Sequence, residues 1–352
     1  MHTLIVGAGL AGQLLARALL ERGERVTLAH DPAIAGASRV AAWMINPVTG
    51  IRFVPSWRVE TFLPSCIALY ETLAADIGQP IWHPLPIIRL FQGADELPRW
   101  NKKRLQPEVR GYVAQEFPGA PKQSGVTFDS APNLGGIEFH SGGWADLAPW
   151  LQHHLAHPPM GMEVVPEKIT RSDIEKNGLT WCGHAFDRVI FCTGYEPSHA
   201  SHTPLPWKPA KGQLLTVRIP GLELDSILLR GIFVIPLGLD RYRVGATYEW
   251  DDLTPDCTPA GIEFLRQKLA ALIPLPFEIL DAQTAIRPIL QDARPVIGME
   301  PNTPFGICNG FGSKAALMAP WVCDHFADHL VAGTPLDSEL SLSRLALHRS
   351  FD

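Results

Sequence analysis

Six cysteines in 352 residues are too few and too scattered to form a framework. Cys66, Cys182, Cys192, Cys257, Cys308 and Cys323 make no Cys-x-x-Cys pair, and three stand inside apolar runs. This spacing gives neither a zinc site nor a disulfide scaffold; it predicts buried, reduced thiols in a cytoplasmic protein. No apolar run reaches the length of a membrane span. The apolar start is broken by three glycines and lacks a charged leader and a cleavage site, so a signal peptide is not expected. No long basic run is present and the formal net charge is −6, which argues against a nucleic-acid surface. Internal repeats and low-complexity tracts are absent. A Gly-x-Ser-x-Gly elbow is missing, which leaves a serine hydrolase unsupported. His153-His154-x-x-His157 has no matching cysteines or carboxylates, so these histidines are expected in solvent and no metal is expected.

What is present gathers at the start. Met1–Val6 is a short apolar run, followed by Gly7-Ala8-Gly9-Leu10-Ala11-Gly12 and an amphipathic stretch with Leu14, Leu15, Ala18 and Leu19 on one face. Gly23 stands where a helix ends, and Arg25–Ala29 reads as a second strand. Strand, Gly-x-Gly-x-x-Gly turn, helix and strand in this order predict a dinucleotide site. The glycines allow a tight turn, a close pyrophosphate and tight helix packing, and the helix N-terminus faces the phosphates. An acidic residue is expected after the second strand to hold a ribose. Here the pair is His30-Asp31, and either can serve.

Further along, Val59–Ile77 has helical spacing, with Pro64 admissible only in the first turn. Leu85–Phe91 reads as a strand, 94–139 as irregular, Leu147–Leu155 as a helix, and Met162–Val165 and Arg188–Thr193 as strands. Leu214–Ile219, Ser226–Gly231, Ile232–Leu237 and Tyr242–Tyr248 suggest an antiparallel sheet. Gly261–Leu272 is helical, Gly306–Cys308 is a last strand, and a helix follows Lys314 to about Leu330. An α/β nucleotide domain with a discontinuous second domain fits this order.

Four stretches together resemble the FAD-dependent D-amino acid oxidase superfamily, in its glycine oxidase and sarcosine oxidase branch. They are the glycine turn; Ala37-Ser38-Arg39-Val40-Ala41-Ala42-Trp43-Met44; Val189–Cys192 with Thr193-Gly194; and Ile286-Arg287-Pro288 through Pro295-x-Ile297-Gly298 with Asn309-Gly310-x-Gly312. The last part is also similar to the oxidase half of the bifunctional enzyme that finishes methylaminomethyl-uridine in tRNA. The resemblance implies a Rossmann-type FAD-binding domain of 1–80, 140–205 and 285–352. It implies a mainly antiparallel β-sheet substrate domain of 81–139 and 206–284. FAD would be held by Gly7, Gly9, Leu10, Ala11, Gly12, His30 or Asp31, Ser38, Ala41, Ala42, Met44, Ile169, Thr193, Gly194, Gly310, Phe311, Gly312, Ser313 and Lys314. Relatives that attach the flavin use a cysteine where Ala285 stands, so the flavin is expected to be non-covalent. Trp43 replaces a usual glycine, and either narrows the space by the flavin or fills a gap.

The implied reaction is oxidation of the C–N bond of a primary or secondary amine, by hydride transfer to the flavin, with dioxygen as acceptor. Arg287, Tyr248 and Lys314 are the catalytic candidates. Arg287 matches the arginine that holds a substrate carboxylate with two parallel hydrogen bonds; otherwise it pairs with Asp292 or Asp281 or bonds backbone carbonyls. Phe233 stands where a carboxylate-binding tyrosine is usual and cannot donate, so either the carboxylate reading is weakened or Tyr248 takes that part. Lys314, Arg52 and Lys211 are candidate cations for favouring oxygen reduction, with positional support for Lys314 alone, and Arg52 is otherwise a second substrate contact. His140 and Trp144 flank a Gly-Gly turn that can border the cofactor, and Asp251-Asp252 reads as a solvated acidic turn. Competing readings are the tRNA-modification oxidase, an NAD(P)H-fed reductase or monooxygenase, and a non-catalytic flavoprotein. The partners expected are a small amine and O2, with neither nucleic acid nor membrane. The oligomeric state is not legible.

Overall fold

The computed structural model describes residues 1–34, 36–119, 122–123, 126–127, 134–195 and 204–347. Much of the 118–133 stretch assigned above to the substrate domain therefore lies outside the described residues.

A six-stranded sheet forms the first layer, in the order Met162–Val165, Arg25–Ala29, His2–Val6, Arg188–Phe191, Phe305–Asn309, Val296–Met299. All pairs are parallel except the last. His2–Val6 is buried along its whole length, as a central parallel strand covered on both faces should be. One face carries the helices Leu10–Glu21, Val59–Ile77 and Ala315–Ala332, packed through Leu14, Leu15, Phe62, Tyr70, Val322 and Phe326. The Tyr70 hydroxyl donates to the Ala316 carbonyl at 2.5 Å, tying two of these helices. The other face is closed by Ile169, Ile174 and Phe186.

The second layer is an eight-stranded sheet. Its order is Glu278–Arg287, Ala210–Arg218, Arg241–Gly245, Phe233–Gly238, Ile227–Leu229, Ile87–Leu90, Gly136–Phe139, Val113–Phe117. It is antiparallel except where Ile227–Leu229 meets Ile87–Leu90. Helix Pro259–Leu272 covers one face through Leu265, Leu269 and Leu272. Thr258 caps that helix by accepting from the Gly261 N–H at 3.1 Å. The opposite face looks toward the first layer.

Several expectations change. Helix Val59–Ile77 has the expected bounds, but Pro64 lies beyond the first turn. It is exposed, as is Glu60, so the carbonyl that loses its partner faces solvent. The boundary expected at 285 falls inside strand Glu278–Arg287. His154 is not solvated: it is buried, its Nδ1 donates to Gln13 Oε1 at 3.0 Å, and burial lowers its pKa to about 4. No helix among the described residues is long and apolar enough to cross a membrane.

Candidate active site

The glycine turn opens one end of a cavity of about 900 Å³ that runs between the two layers. Gly7 has φ +113°, and a Cβ there would lie 2.5 Å from the Cys192 carbonyl oxygen. A Cβ on Gly12 would come within 1.9 Å of the Gly7 carbonyl oxygen, so only glycine lets the helix sit this close to the strand. Gly9 is different. Its Cβ would meet only the Ser38 side chain, Oγ at 3.1 Å and Cβ at 3.9 Å, and otherwise open space. Ser38 Oγ accepts the Leu10 N–H at 2.9 Å, which draws the 36–40 segment against the helix start. The first turn of that helix holds no acidic residue, so its positive end is offered to an anion. These features fit a dinucleotide pyrophosphate.

Away from the turn, His30, Asp31, Arg39 and Ile169 line one lobe. Asp31 Oδ1 accepts from the Ala33 N–H at 2.9 Å. Burial, then the Arg39 charge, lowers the pKa of His30, which favours the neutral imidazole. Thr193 and Gly194 line the same cavity, with Gly194 at φ +65° and its carbonyl accepting from Asn309 Nδ2 at 2.9 Å.

At the other lobe, Ala41, Ala42, Trp43 and Met44 form one wall. Trp43 adopts φ +55°, in the region glycine enters without strain, and its indole is buried in the core of the first layer. It is chiefly a packing group. Phe311, Gly312, Ser313 and Lys314 line the cavity, whereas Gly12 and Gly310 stand behind its wall. Lys314 donates to Thr49 Oγ1 at 3.2 Å and Ser56 Oγ at 3.1 Å. Both are neutral, and burial lowers its pKa. This cation has no carboxylate partner among the described residues.

The second sheet supplies the roof. Leu214, Gly245, Phe233, Leu229 and Arg89 are successive cross-strand neighbours, and all five line the cavity. Arg287 ends the edge strand. Its guanidinium donates to the carbonyls of Lys211 and Thr247, each at 3.2 Å, and lies 4.4 Å from the centre of the Tyr248 ring. Gly212 gives it room, since a Cβ there would fall 2.1 Å from Arg287 Nη2. Of the structural alternatives, pairing with Asp292 or Asp281 is not seen, Asp292 accepting from Arg344 Nε at 3.1 Å, whereas bonding to backbone carbonyls is. Among the described residues no carboxylate contacts Arg287.

Four expected cations therefore part company. Arg287 and Lys314 share the cavity. Arg52 is exposed and off its wall. Lys211 is fully buried outside it and bonds Asp252 Oδ2 at 2.7 Å, so Asp252 is not a free solvated acid either. His140 and Trp144 do not line the cavity. Sequence reasoning missed Arg89, which is buried, donates to Glu96 Oε1 at 3.1 Å and stacks 3.9 Å over Phe53. It also missed Ser56 and Gly212, whose neighbours come from distant strands. Gly212→Ala should displace the Arg287 fork and raise KM about tenfold, without loss of cofactor; an unchanged KM would show that the guanidinium tolerates the shift.

Fold and cavity define the class: a dinucleotide-binding α/β protein whose second chamber lies under an antiparallel sheet. Residues 2–329 match the DAO family of FAD-dependent oxidoreductases, and the chain belongs to that family. Its members are FAD-dependent and act on amines or amino acids. The tRNA 5-methylaminomethyl-2-thiouridine biosynthesis bifunctional protein MnmC of Hahella chejuensis is 27% identical over 99% of this chain and 60% of its own length. The bifunctional protein ThiO/ThiG of Nostoc sp. is 33% identical over 97% of this chain and 54% of its own. The chain thus spans little more than half of these relatives. Glycine oxidase from Geobacillus kaustophilus has the same fold, with a TM-score of 0.78, 22% identity and 96% of each chain covered.

Proposed function

We propose that this flavoprotein oxidises the C–N bond of a primary or secondary amine that carries a carboxylate, with dioxygen as the final electron acceptor. The observation that carries the reading is Arg287: a half-buried guanidinium facing the cavity, with no acid beside it among the described residues. Such a cation wants an anion, and its planar fork suits a carboxylate. When bound, FAD supplies the two-electron acceptor for hydride from the carbon next to the amine.

The chain's own residues orient and polarise. Arg287 anchors the carboxylate, and Tyr248 is the donor near it in place of the silent Phe233. The apolar roof of Leu214, Phe233 and Leu229 limits water around the reacting carbon. Lys314 sits at the start of a helix, held by Thr49 and Ser56, and its charge stabilises negative charge that builds on the reduced cofactor or on oxygen. His30, which lines the cavity beside Asp31, takes the ribose. Ala285 lines the cavity and offers no sulfur, so FAD is held without a covalent bond. The resulting imine is hydrolysed by water.

A visible spectrum before and after anaerobic addition of pooled amino acids and N-alkyl amino acids tests this. A flavin band that bleaches is the expected result. A band unmoved by every carboxylated amine overturns it. The relatives named for tRNA 5-methylaminomethyl-2-thiouridine synthesis favour a second reading, the same oxidation on a modified tRNA nucleoside. Salt-sensitive tRNA binding in a filter assay would move the weight there.

A further inference from the structure

Lys211 is the least expected side chain near the site. It is a lysine with no exposed surface at all, in the strand that runs beside Arg287. Side chains alternate along a strand. Gly212 and Leu214 therefore face the cavity, and Lys211 and Gln213 face away, toward the segment 247–258. There the ammonium donates to Asp252 Oδ2 at 2.7 Å and to Thr254 Oγ1 at 3.0 Å. Burying an ammonium costs several kcal/mol unless it is paired and hydrogen-bonded, so the pair is not a casual surface contact.

The segment it holds carries the aromatic group over Arg287. Tyr248 packs against the guanidinium and against Trp250, whose ring centre lies 5.0 Å from its own. Both residues are substantially exposed, at 44% and 52%, so burial does little to hold them there. The backbone is laced to the same strand: Lys211 N–H donates to the Glu249 carbonyl at 2.8 Å, and Glu249 N–H returns to the Lys211 carbonyl at 3.0 Å. Gln213 adds bonds from its N–H to Thr247 Oγ1 at 2.9 Å and from Nε2 to Glu249 Oε1 at 2.8 Å. The Lys211 carbonyl is also one of the two that Arg287 donates to.

We propose that the pair of buried Lys211 and partly exposed Asp252 is a clasp. It holds the Tyr248–Trp250 segment against the strand, and so fixes the orientation in which Arg287 receives a carboxylate. Lys211 and Asp252 are positioning residues, since neither lines the cavity. The role of Arg287 in this inference rests on the function proposed above; the clasp itself does not.

Lys211→Met is the informative variant. Methionine fills the buried stem, and Asp252, whose side chain is 37% exposed, is left to water. In the FAD-loaded enzyme, amide exchange in 247–254 should quicken at least about tenfold while the rest of the chain keeps its protection. The Kd of acetate, read from the flavin difference spectrum, and the KM of the carboxylated amine should each rise about tenfold, with kcat within about twofold. Asp252→Asn keeps an oxygen for the ammonium but removes the charge. It should shift both quantities in the same direction, by about threefold, and serves if the methionine variant does not fold. Unchanged exchange in either folded variant overturns the clasp. Faster exchange with unchanged Kd and KM overturns its effect on Arg287. Should the unmodified enzyme bind no carboxylate, the proposed function falls, and the exchange measurement still decides the clasp.

Discussion

Arg287→Ala is expected to raise KM for the amine substrate by about a hundredfold or more and to leave the protein yellow. Removing one partner of a buried, hydrogen-bonded charge pair costs about 3–5 kcal/mol, and about 3 kcal/mol is already more than a hundredfold in affinity. The flavin should stay, because no bond of Arg287 reaches the glycine turn: its donors go to the Lys211 and Thr247 carbonyls, and its plane lies on Tyr248. Arg287→Lys separates charge from shape. A lysine restores the charge but not the two parallel donors, so its KM should fall between the other two. If Arg287→Ala shows KM within twofold of the parent, the carboxylate is held elsewhere. If instead kcat falls and KM does not, the guanidinium acts on the reaction and not on binding.

The contrast between Arg287 and Lys211 shows how far residues alone carry such a reading. The glycine turn was legible because its parts are neighbours in sequence, and its strand, turn and helix fall where the pattern puts them, at His2–Val6 and Leu10–Glu21. The strand that carries Arg287 was not legible. Glu278–Arg287 mixes charged, small and apolar residues, and most of it is only half-buried, so it has no clean period of two. Lys211 and Arg52 looked alike as isolated cations. One is sealed behind a sheet and the other stands in water, a difference made by pairing across strands that no local window records. The three histidines at 153–157 likewise read as one polar helix end, although His154 turns inward to a glutamine 141 positions away. Trp43 was visible as a departure, but its meaning needed its backbone angle.

Lys314 draws on both kinds of signal. A lysine just before a helix is badly placed against the dipole, which the sequence alone suggests. The structure adds that its acceptors are two neutral hydroxyls from 49 and 56, and that burial lowers its pKa. Together with Arg287 it gives the chamber two cations that no carboxylate among the described residues neutralises. An anionic ligand set, substrate at one and cofactor charge at the other, matches both.

Gly9→Val is expected to fold and to be colourless. The conformation of Gly9, φ −75° and ψ −172°, is open to any residue, so valine imposes no backbone strain. The only atoms a Cβ would meet belong to Ser38, at 3.1 Å and 3.9 Å, and that side chain can turn away. Losing its bond to the Leu10 N–H costs about 1 kcal/mol, as for a helix cap, which a domain of ordinary stability survives. What the isopropyl group does fill is the space beside the helix start through which a pyrophosphate must approach. Gly12→Ala is the control of opposite kind. Its Cβ would lie 1.9 Å from the Gly7 carbonyl oxygen, so helix and strand must part and the fold itself should weaken. Purified Gly9→Val should therefore melt within a few degrees of the cofactor-free parent and show no band near 450 nm, even after incubation with FAD, while Gly12→Ala should melt markedly lower. A Gly9→Val protein as yellow as the parent would mean that the dinucleotide does not lie at this turn.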